Sequence, residues 1–466
     1  MTKITAWLHS PRFANFKAAT HKIFQLSLPI VISYINANMG GFIGMMMIAR
    51  LGHAELAAGA LINSVMLSVM VPLWAFFCAV GAIAGHQYGA KQYAEIGKVM
   101  RQSMLLGVII GLPTMIFLRH IGAVLILFGQ DYHLSMLTQD YYQANSWGII
   151  LSLFDACFTQ FFISVGKQKM SLIFTTLAAL LVMSLGYVFI FGHFGMQALG
   201  VSGMGYASAA TNAIMFIIIL ANLFFNATYR PYRLFDFFKK DNFVYLREVI
   251  KIGWPIAVMT AGELMIFAIT IILYGWLGEV ALAAQNIAIQ LNIMAFMVTQ
   301  GIGQAVMILI SQELGAKQYG SVRNLGYAAM MIGVVAALLV LVIYAFTYKH
   351  LVNLYLDFSS PMVHATLKLA VPLLMLAGIL NIFDFPRFIA VCSLRGLHDT
   401  VKPMLIFVGL GCVLSLPASY FLAFIMHFGA LGMPWGFIIG YGVGSIILLH
   451  RFHRLSDTTC LAECFH

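Results

Sequence analysis

The sequence predicts an all-α polytopic membrane protein: twelve transmembrane helices in two six-helix lobes. Three observations predict it. The 466 residues are 61% hydrophobic and only 9% charged, too few charges to cover a soluble protein of that length. Apolar runs of roughly 20 residues, the length a helix needs to cross ~30 Å of hydrocarbon, recur along the chain, whereas the short alternating segments of a β-barrel do not. Finally, Gly89-Ala90-Lys91-Gln92-Tyr93 returns as Gly315-Ala316-Lys317-Gln318-Tyr319, 226 positions further on.

The repeat orders the chain. The same offset carries Leu28-Pro29-Ile30 towards Trp254-Pro255-Ile256, Leu51-Gly52 onto Leu277-Gly278, and Leu56-Ala57-Ala58 onto Leu282-Ala283-Ala284. Further on the match weakens but persists. Asp155 with Gly166 resembles Asp384 with Gly396. Phe194-Gly195 and Ala198-Leu199-Gly200 resemble Phe428 to Gly432. Twelve spans are predicted at 24–50, 55–80, 100–118, 136–164, 170–192, 200–225, 250–276, 281–310, 325–348, 363–393, 401–426 and 430–450. The domain reading follows: a cytoplasmic segment 1–23, an N-lobe 24–227, a linker 228–247, a C-lobe 248–450 and a cytoplasmic tail 451–466.

Six spans per copy is an even number, so both copies start from the same side. An axis along the membrane normal then relates them. Two such lobes are expected to face a central cleft whose exposure alternates as one rocks against the other. Pro29, Pro255, Pro386 and Pro417 lie within spans and permit bends; Pro29 and Pro255 equally suit the starts of helices.

Charge sets the orientation. Of the 26 Lys and Arg, only Arg50, Arg119, Lys349 and Lys368 flank the outer connections, and Arg387 lies within a span. The rest, Lys3, Lys239 and Lys240 among them, sit in the even-numbered connections and the two tails. The positive-inside rule places those in the cytoplasm. The net charge of +10 is therefore read as topology rather than a nucleic-acid footprint. The first 23 residues are polar and basic and the first apolar run is too long for a signal h-region, so no cleavable signal is expected. Cys78, Cys157, Cys392, Cys412, Cys460 and Cys464 are scattered without zinc-site spacing and are read as unpaired thiols. The linker from Thr228 to Asp241 mixes basic and aromatic residues, a pattern that suits the membrane surface.

Three carboxylates fall well inside the spans: Asp155, Glu263 and Asp384. A charge at the bilayer centre costs on the order of 2.5–3.5 kcal/mol on insertion scales, so each needs a reason. They are cation or proton sites, or carboxyls tying helices together. Glu263 aligns with Ala37 of the first copy, between Asn36 and Asn38, so an ion-coupled function would be one-sided. Arg387 follows Asp384 by three residues, on the same helical face. Either the two form a structural pair, or Arg387 competes with a transported cation for Asp384. Tyr34, Asn36 and Asn38 are candidate pocket residues by depth. The many Phe, Tyr and Met residues would suit an adaptable apolar pocket as well as ordinary packing.

Together these features resemble the multidrug and toxic compound extrusion (MATE) family, nearest its NorM-type branch, over roughly residues 20 to 450. The resemblance rests on Met39-Gly-Gly-Phe42, the Leu-Gly and Leu-Ala-Ala runs, Gly89 to Tyr93, and Gly253-Trp-Pro-Ile256. Ala198 to Val201, Glu263, Asp384, Leu394-Arg395-Gly396 and Asp399-Thr400 carry it further. It implies export of amphipathic, often cationic compounds against Na⁺ or H⁺, with coupling at Glu263 and Asp384 and no cofactor. Phe296 matches a position where relatives place an aromatic near that site. Three departures stand out. The first-helix aspartate reads Gly44, the fifth-helix asparagines read Val182 and Gly186, and the eighth-helix His-Gln reads Gln285-Asn286. Coupling is therefore expected in the C-lobe.

The expected protein is a monomeric drug:cation antiporter of a bacterial inner membrane, with both termini cytoplasmic. Its partners would be small organic substrates and the bilayer. A flippase for lipid-linked sugar precursors shares the broad architecture, but its pyrophosphate would call for several intramembrane cations, and only Arg387 falls well inside the predicted spans. An intramembrane enzyme would need a catalytic constellation, and no zinc-protease motif, nucleophile elbow or helically spaced aspartate pair occurs.

Overall fold

The computed structural model describes residues 11–193, 195, 197–236, 243–353 and 362–464. Lys3, Phe194, Lys239, Lys240 and Asp241 lie outside the described residues, as do the side chains of Arg12, Lys349, Cys460 and Cys464. Every regular element described is helical, and twelve helices are long and apolar enough to cross a membrane. They are α1 Phe16–Ala49, α2 His53–Gly89, α3 Tyr93–Arg119, α4 Ser146–Ser164, α5 Gln168–Phe191 and α6 Gly200–Phe225, followed by α7 Val244–Trp276, α8 Glu279–Gly315, α9 Tyr319–Tyr348, α10 Thr366–Gly396, α11 Val401–Ile425 and α12 Gly429–Leu455.

Most helices outrun the apolar stretch that announces them, because polar flanks extend a helix at little cost once it leaves hydrocarbon. Three details were not expected. The predicted span 136–164 is broken at Asn145, which separates Tyr132–Ala144 from α4. Asp131 caps the short helix by accepting a bond from the Leu134 N–H at 3.1 Å. π-turns interrupt α2 at Met66–Met70 and α11 at Gly411–Ser415, and α11 ends in another at Phe421–Ile425. The first two are each followed within two residues by a proline, Pro72 or Pro417, whose missing N–H frees a carbonyl one turn back.

The duplicated pentapeptide is a turn built twice. In the first copy Gln92 N–H bonds the Gln87 carbonyl at 2.9 Å and Lys91 N–H bonds Tyr88 at 3.0 Å. In the second, Gln318 N–H reaches Glu313 at 2.9 Å and Lys317 N–H reaches Leu314 at 3.0 Å. Lys91 and Lys317 hold left-handed backbones at φ 59° and 57°, so a lysine fills in both copies the capping place that usually takes glycine. The Leu-Gly repeats also match: Leu56 N–H bonds Gly52 and Leu282 N–H bonds Gly278, both at 3.1 Å.

Contacts divide the chain into two compact units, residues 32–257 and residues 1–31 with 258–466. In the first, α3 packs along α4 and α5 along α6 around a core that includes Phe77, Ile83, Tyr142, Phe161 and Phe162. The α5–α6 crossing depends on Gly203, where a Cβ would stand 2.6 Å from the Phe189 carbonyl oxygen. The start of the linker packs into this unit. Tyr229 and Tyr232 are buried, with the Tyr232 ring 5.4 Å from Phe161 and 5.8 Å from Tyr93. Arg101 donates to the Arg233 carbonyl at 2.6 Å. Tyr229 and Tyr232 thus find protein packing, and burial with neighbouring tyrosines pushes the Tyr232 phenol up to about 12.

In the second unit α10 packs against α8, α9 and α12. Tyr274, Leu374, Tyr344 and Met433 form part of its core, and Lys22 pairs with Glu313 at 3.1 Å. Among the described residues Cys78, Cys157, Cys392 and Cys412 form no disulfide.

Candidate functional site

Because three helices pack on α10, its middle turns are buried, and there the chain places opposite charges. Asp384 is 8% exposed and Arg387 3%. Arg387 Nε and Nη2 donate to the same Asp384 oxygen, Oδ1, at 3.0 and 2.5 Å. The guanidinium carbon lies 3.9 Å from the Phe407 ring centroid on α11 and 3.8 Å from that of Tyr441 on α12. Both contacts are within cation–π range. Gly444, one turn beyond Tyr441, leaves the Arg387 methylenes room: a Cβ there would stand 3.3 Å from Arg387 Cδ. Ser445 donates to the Phe383 carbonyl at 2.6 Å and anchors α12 beside Asp384.

Glu263 reaches the same group from α7. It is half-buried and lies within electrostatic reach of Arg387, Asp384 and Arg395. Its helix is held against α11, where a Cβ on Gly262 would meet Val408 at 2.8 Å. One turn earlier, Met259 Sδ receives Arg395 Nη2 at 3.6 Å. Arg395 falls beyond the expected span 363–393 but still within α10, which continues to Gly396, and it is buried there at 7% exposed.

The other sequence candidates scatter. Phe296 packs edge-on against Phe388, one turn from Asp384, with ring centroids 5.1 Å apart. Gln285 is half-buried and Asn286 exposed, about 15 Å from Phe296 along α8 at the helical rise. An amide pair that sequence reading missed does sit near the site. Asn381 Nδ2 donates to Asn292 Oδ1 at 2.7 Å, while the buried Asn381 Oδ1 lacks a partner among the described residues. An apolar cavity of about 400 Å³ is lined in part by Met330, Met331, Phe383 and Pro386.

In the first unit Asn36 donates to Thr176 at 2.7 Å, and Asn38 bonds its own helix at the Tyr34 carbonyl, 2.9 Å. Asn38 is exposed and Tyr34 half-buried. Asp155 is half-buried and has no ion pair or hydrogen bond among the described residues. Around Gly44 the space is apolar. A Cβ on Gly44 would stand 3.5 Å from Met204 Sδ and in collision with its methyl, and one on Gly186 would stand 3.3 Å from the same sulfur. Met204 thus fills the region that Gly44 and Gly186 leave open. Among the described residues no cluster of three or more His, Cys, Asp or Glu could hold a metal ion.

Twelve apolar helices, a duplicated frame and ionisable groups inside the bundle define a polytopic membrane protein of internally repeated construction. A family model, MatE, matches residues 29–188 and 255–421, one segment in each copy and both starting at the paired prolines. The chain belongs to the MatE family. It is similar to a "Probable multidrug resistance protein NorM" of Synechococcus sp., 28% identical over 444 residues and covering 95% of this chain and 96% of that protein. The protein of the same name in Mannheimia succiniciproducens is 27% identical over 466 residues, covering 98% and 97%. Among solved structures, the fold resembles an outward-facing multidrug resistance MATE family transporter of the MOP superfamily (TM-score 0.85, 16% identity, 96% and 97% covered). It also resembles a MOP superfamily transporter from Pyrococcus furiosus (TM-score 0.83, 17% identity, 95% and 97% covered).

Proposed function

We propose that this chain is a secondary active multidrug exporter and not an enzyme. It moves amphipathic, cationic organic compounds out of the cell by alternating access, in exchange for Na⁺ or H⁺. The observation that carries the reading is the intramembrane charge group of Glu263, Asp384 and Arg387 in a chain of the MatE family. Charges that cost several kcal/mol to bury are retained where their occupancy is used. Coupling resides in the C-lobe, residues 248–450, because Ala37 stands opposite Glu263 in the repeat and Met204 fills the space beside Gly44 in the N-lobe, residues 24–227.

The cycle needs a difference in ion affinity between two conformations, since an ion bound equally in both would shift nothing. Ion release on one side would leave the carboxylate free to favour the substrate-binding form; ion uptake on the other would favour substrate release. The protein works as a monomer in a bacterial inner membrane with both termini cytoplasmic, and it needs no cofactor.

The test is ethidium movement in proteoliposomes under an imposed Na⁺ gradient or an imposed proton gradient, each alone. Exchange driven by one of them is the expected result. Movement indifferent to both would exclude antiport.

A further inference from the structure

The pair on α10 bears on which ion is exchanged. We propose that Arg387 is a tethered cation that permanently occupies Asp384, so that the exchanged ion is a proton carried by Glu263 and Na⁺ is excluded. This rests on the reading that coupling resides in the C-lobe, and it goes further by naming the ion.

Arginine keeps its charge at any physiological pH, and here two of its N–H groups converge on one carboxylate oxygen. Phe407 and Tyr441 lie within 3.9 Å of the guanidinium carbon and hold it in place. A sodium ion needs several oxygen ligands, anionic ones foremost, and approaching Asp384 would bring it against a fixed positive charge in a medium of low dielectric. Displacing Arg387 instead would strip a buried guanidinium of its partner, with no water to replace it.

The charge count around Glu263 then points to a proton. From α10, Asp384, Arg387 and Arg395 lie within its electrostatic reach, and from α12 Tyr441 belongs to the same group. The residues α11 contributes here, Phe407, Val408 and Gly411, are uncharged. Asp384 and Arg387 cancel, and Arg395 lies near the end of α10, where it donates to Met259 Sδ, one turn before Glu263 on α7. One carboxylate is left to change state, and one proton completes that change. Sodium would have to be held by Glu263 without the second carboxylate.

The experiment uses the full chain in proteoliposomes with ethidium as the probe. In the wild type, a proton gradient without Na⁺ should drive exchange, and a Na⁺ gradient at equal pH should drive it at least about tenfold more slowly, a span typical of site couplings. Arg387→Gln should gain a Na⁺-driven component by baring Asp384, while Glu263→Gln should lose proton-driven exchange. Wild-type exchange driven equally well by Na⁺ overturns the tethered-cation proposal and leaves C-lobe coupling standing, provided Glu263→Gln still abolishes it. Proton-driven exchange that survives Glu263→Gln overturns the C-lobe reading itself. Should Arg387→Gln not fold, the thermal stability of the wild type in NaCl against KCl decides: equal midpoints support the proposal, and a Na⁺-specific rise overturns it.

Discussion

Asp384 and Arg387 could be read from the sequence as neighbours on one helical face, but not as partners. Spacing of three allows the contact, and burial makes it obligatory, because neither charge has water to fall back on. Asp384→Asn should therefore destabilise the protein by about 3–5 kcal/mol, by leaving a guanidinium buried without its counter-charge. Thermal unfolding in detergent would show it as a lowered midpoint, and an unchanged midpoint would mean that Phe407 and Tyr441 suffice. Those two rings were not legible at all, since they are supplied by α11 and α12, distant in sequence. Gly44 carries a second prediction at this scale. Its missing aspartate was visible, but the methionine that replaces it in space was not, because Met204 arrives from α6. Gly44→Asp should cost roughly 1–3 kcal/mol by overpacking against Met204, and Gly44→Asp with Met204→Ala should recover part of it. If both variants unfold alike, Met204 is not the obstacle.

At the scale of elements, the duplicated Gly-Ala-Lys-Gln-Tyr had a topological reading in its lysines and a structural one in its turn. The structure supplies the second. Lys91 and Lys317 close two helices in a conformation that costs an L-residue roughly 1–2 kcal/mol, offset in part by glycine's greater loss of freedom on folding. Lys91→Gly and Lys317→Gly should each raise stability by up to about 1 kcal/mol, read as a higher thermal midpoint. A fall in both would show that the lysine charge at the helix end matters more than the strain. Helix identity and number were legible because apolar length is a local property. The break at Asn145 and the π-turns before Pro72 and Pro417 were not, since they depend on where a freed backbone group finds a partner. The burial of Tyr229 and Tyr232 was not legible for a related reason. Composition cannot tell an aromatic residue meant for lipid from one meant for a neighbouring helix.

For the whole molecule, the question is whether a symmetric frame carries a symmetric function. The two copies share their turns and paired prolines but not their charges. Glu263 is opposite Ala37 in the repeat, and Met204 lies beside Gly44 in the first copy. Asp155 is a carboxylate within α4 of the first unit, half-buried and without an ion pair or hydrogen bond among the described residues. Asp155→Asn should leave gradient-driven ethidium exchange within about twofold of wild type, whereas Glu263→Gln should not. Loss of exchange in Asp155→Asn would mean that both copies carry coupling.

The sequence by itself determined the class, the twelve helices, the duplication and the identity of the scarce intramembrane charges. Each of these is written in apolar length, repeat spacing or the simple rarity of a carboxylate among apolar residues. Only the tertiary structure decided what those charges touch. Whether Asp384 is open to a transported cation or closed by Arg387 depends on helices that meet it from distant parts of the chain. Contacts between remote segments are set by packing, and packing is not a local property of sequence.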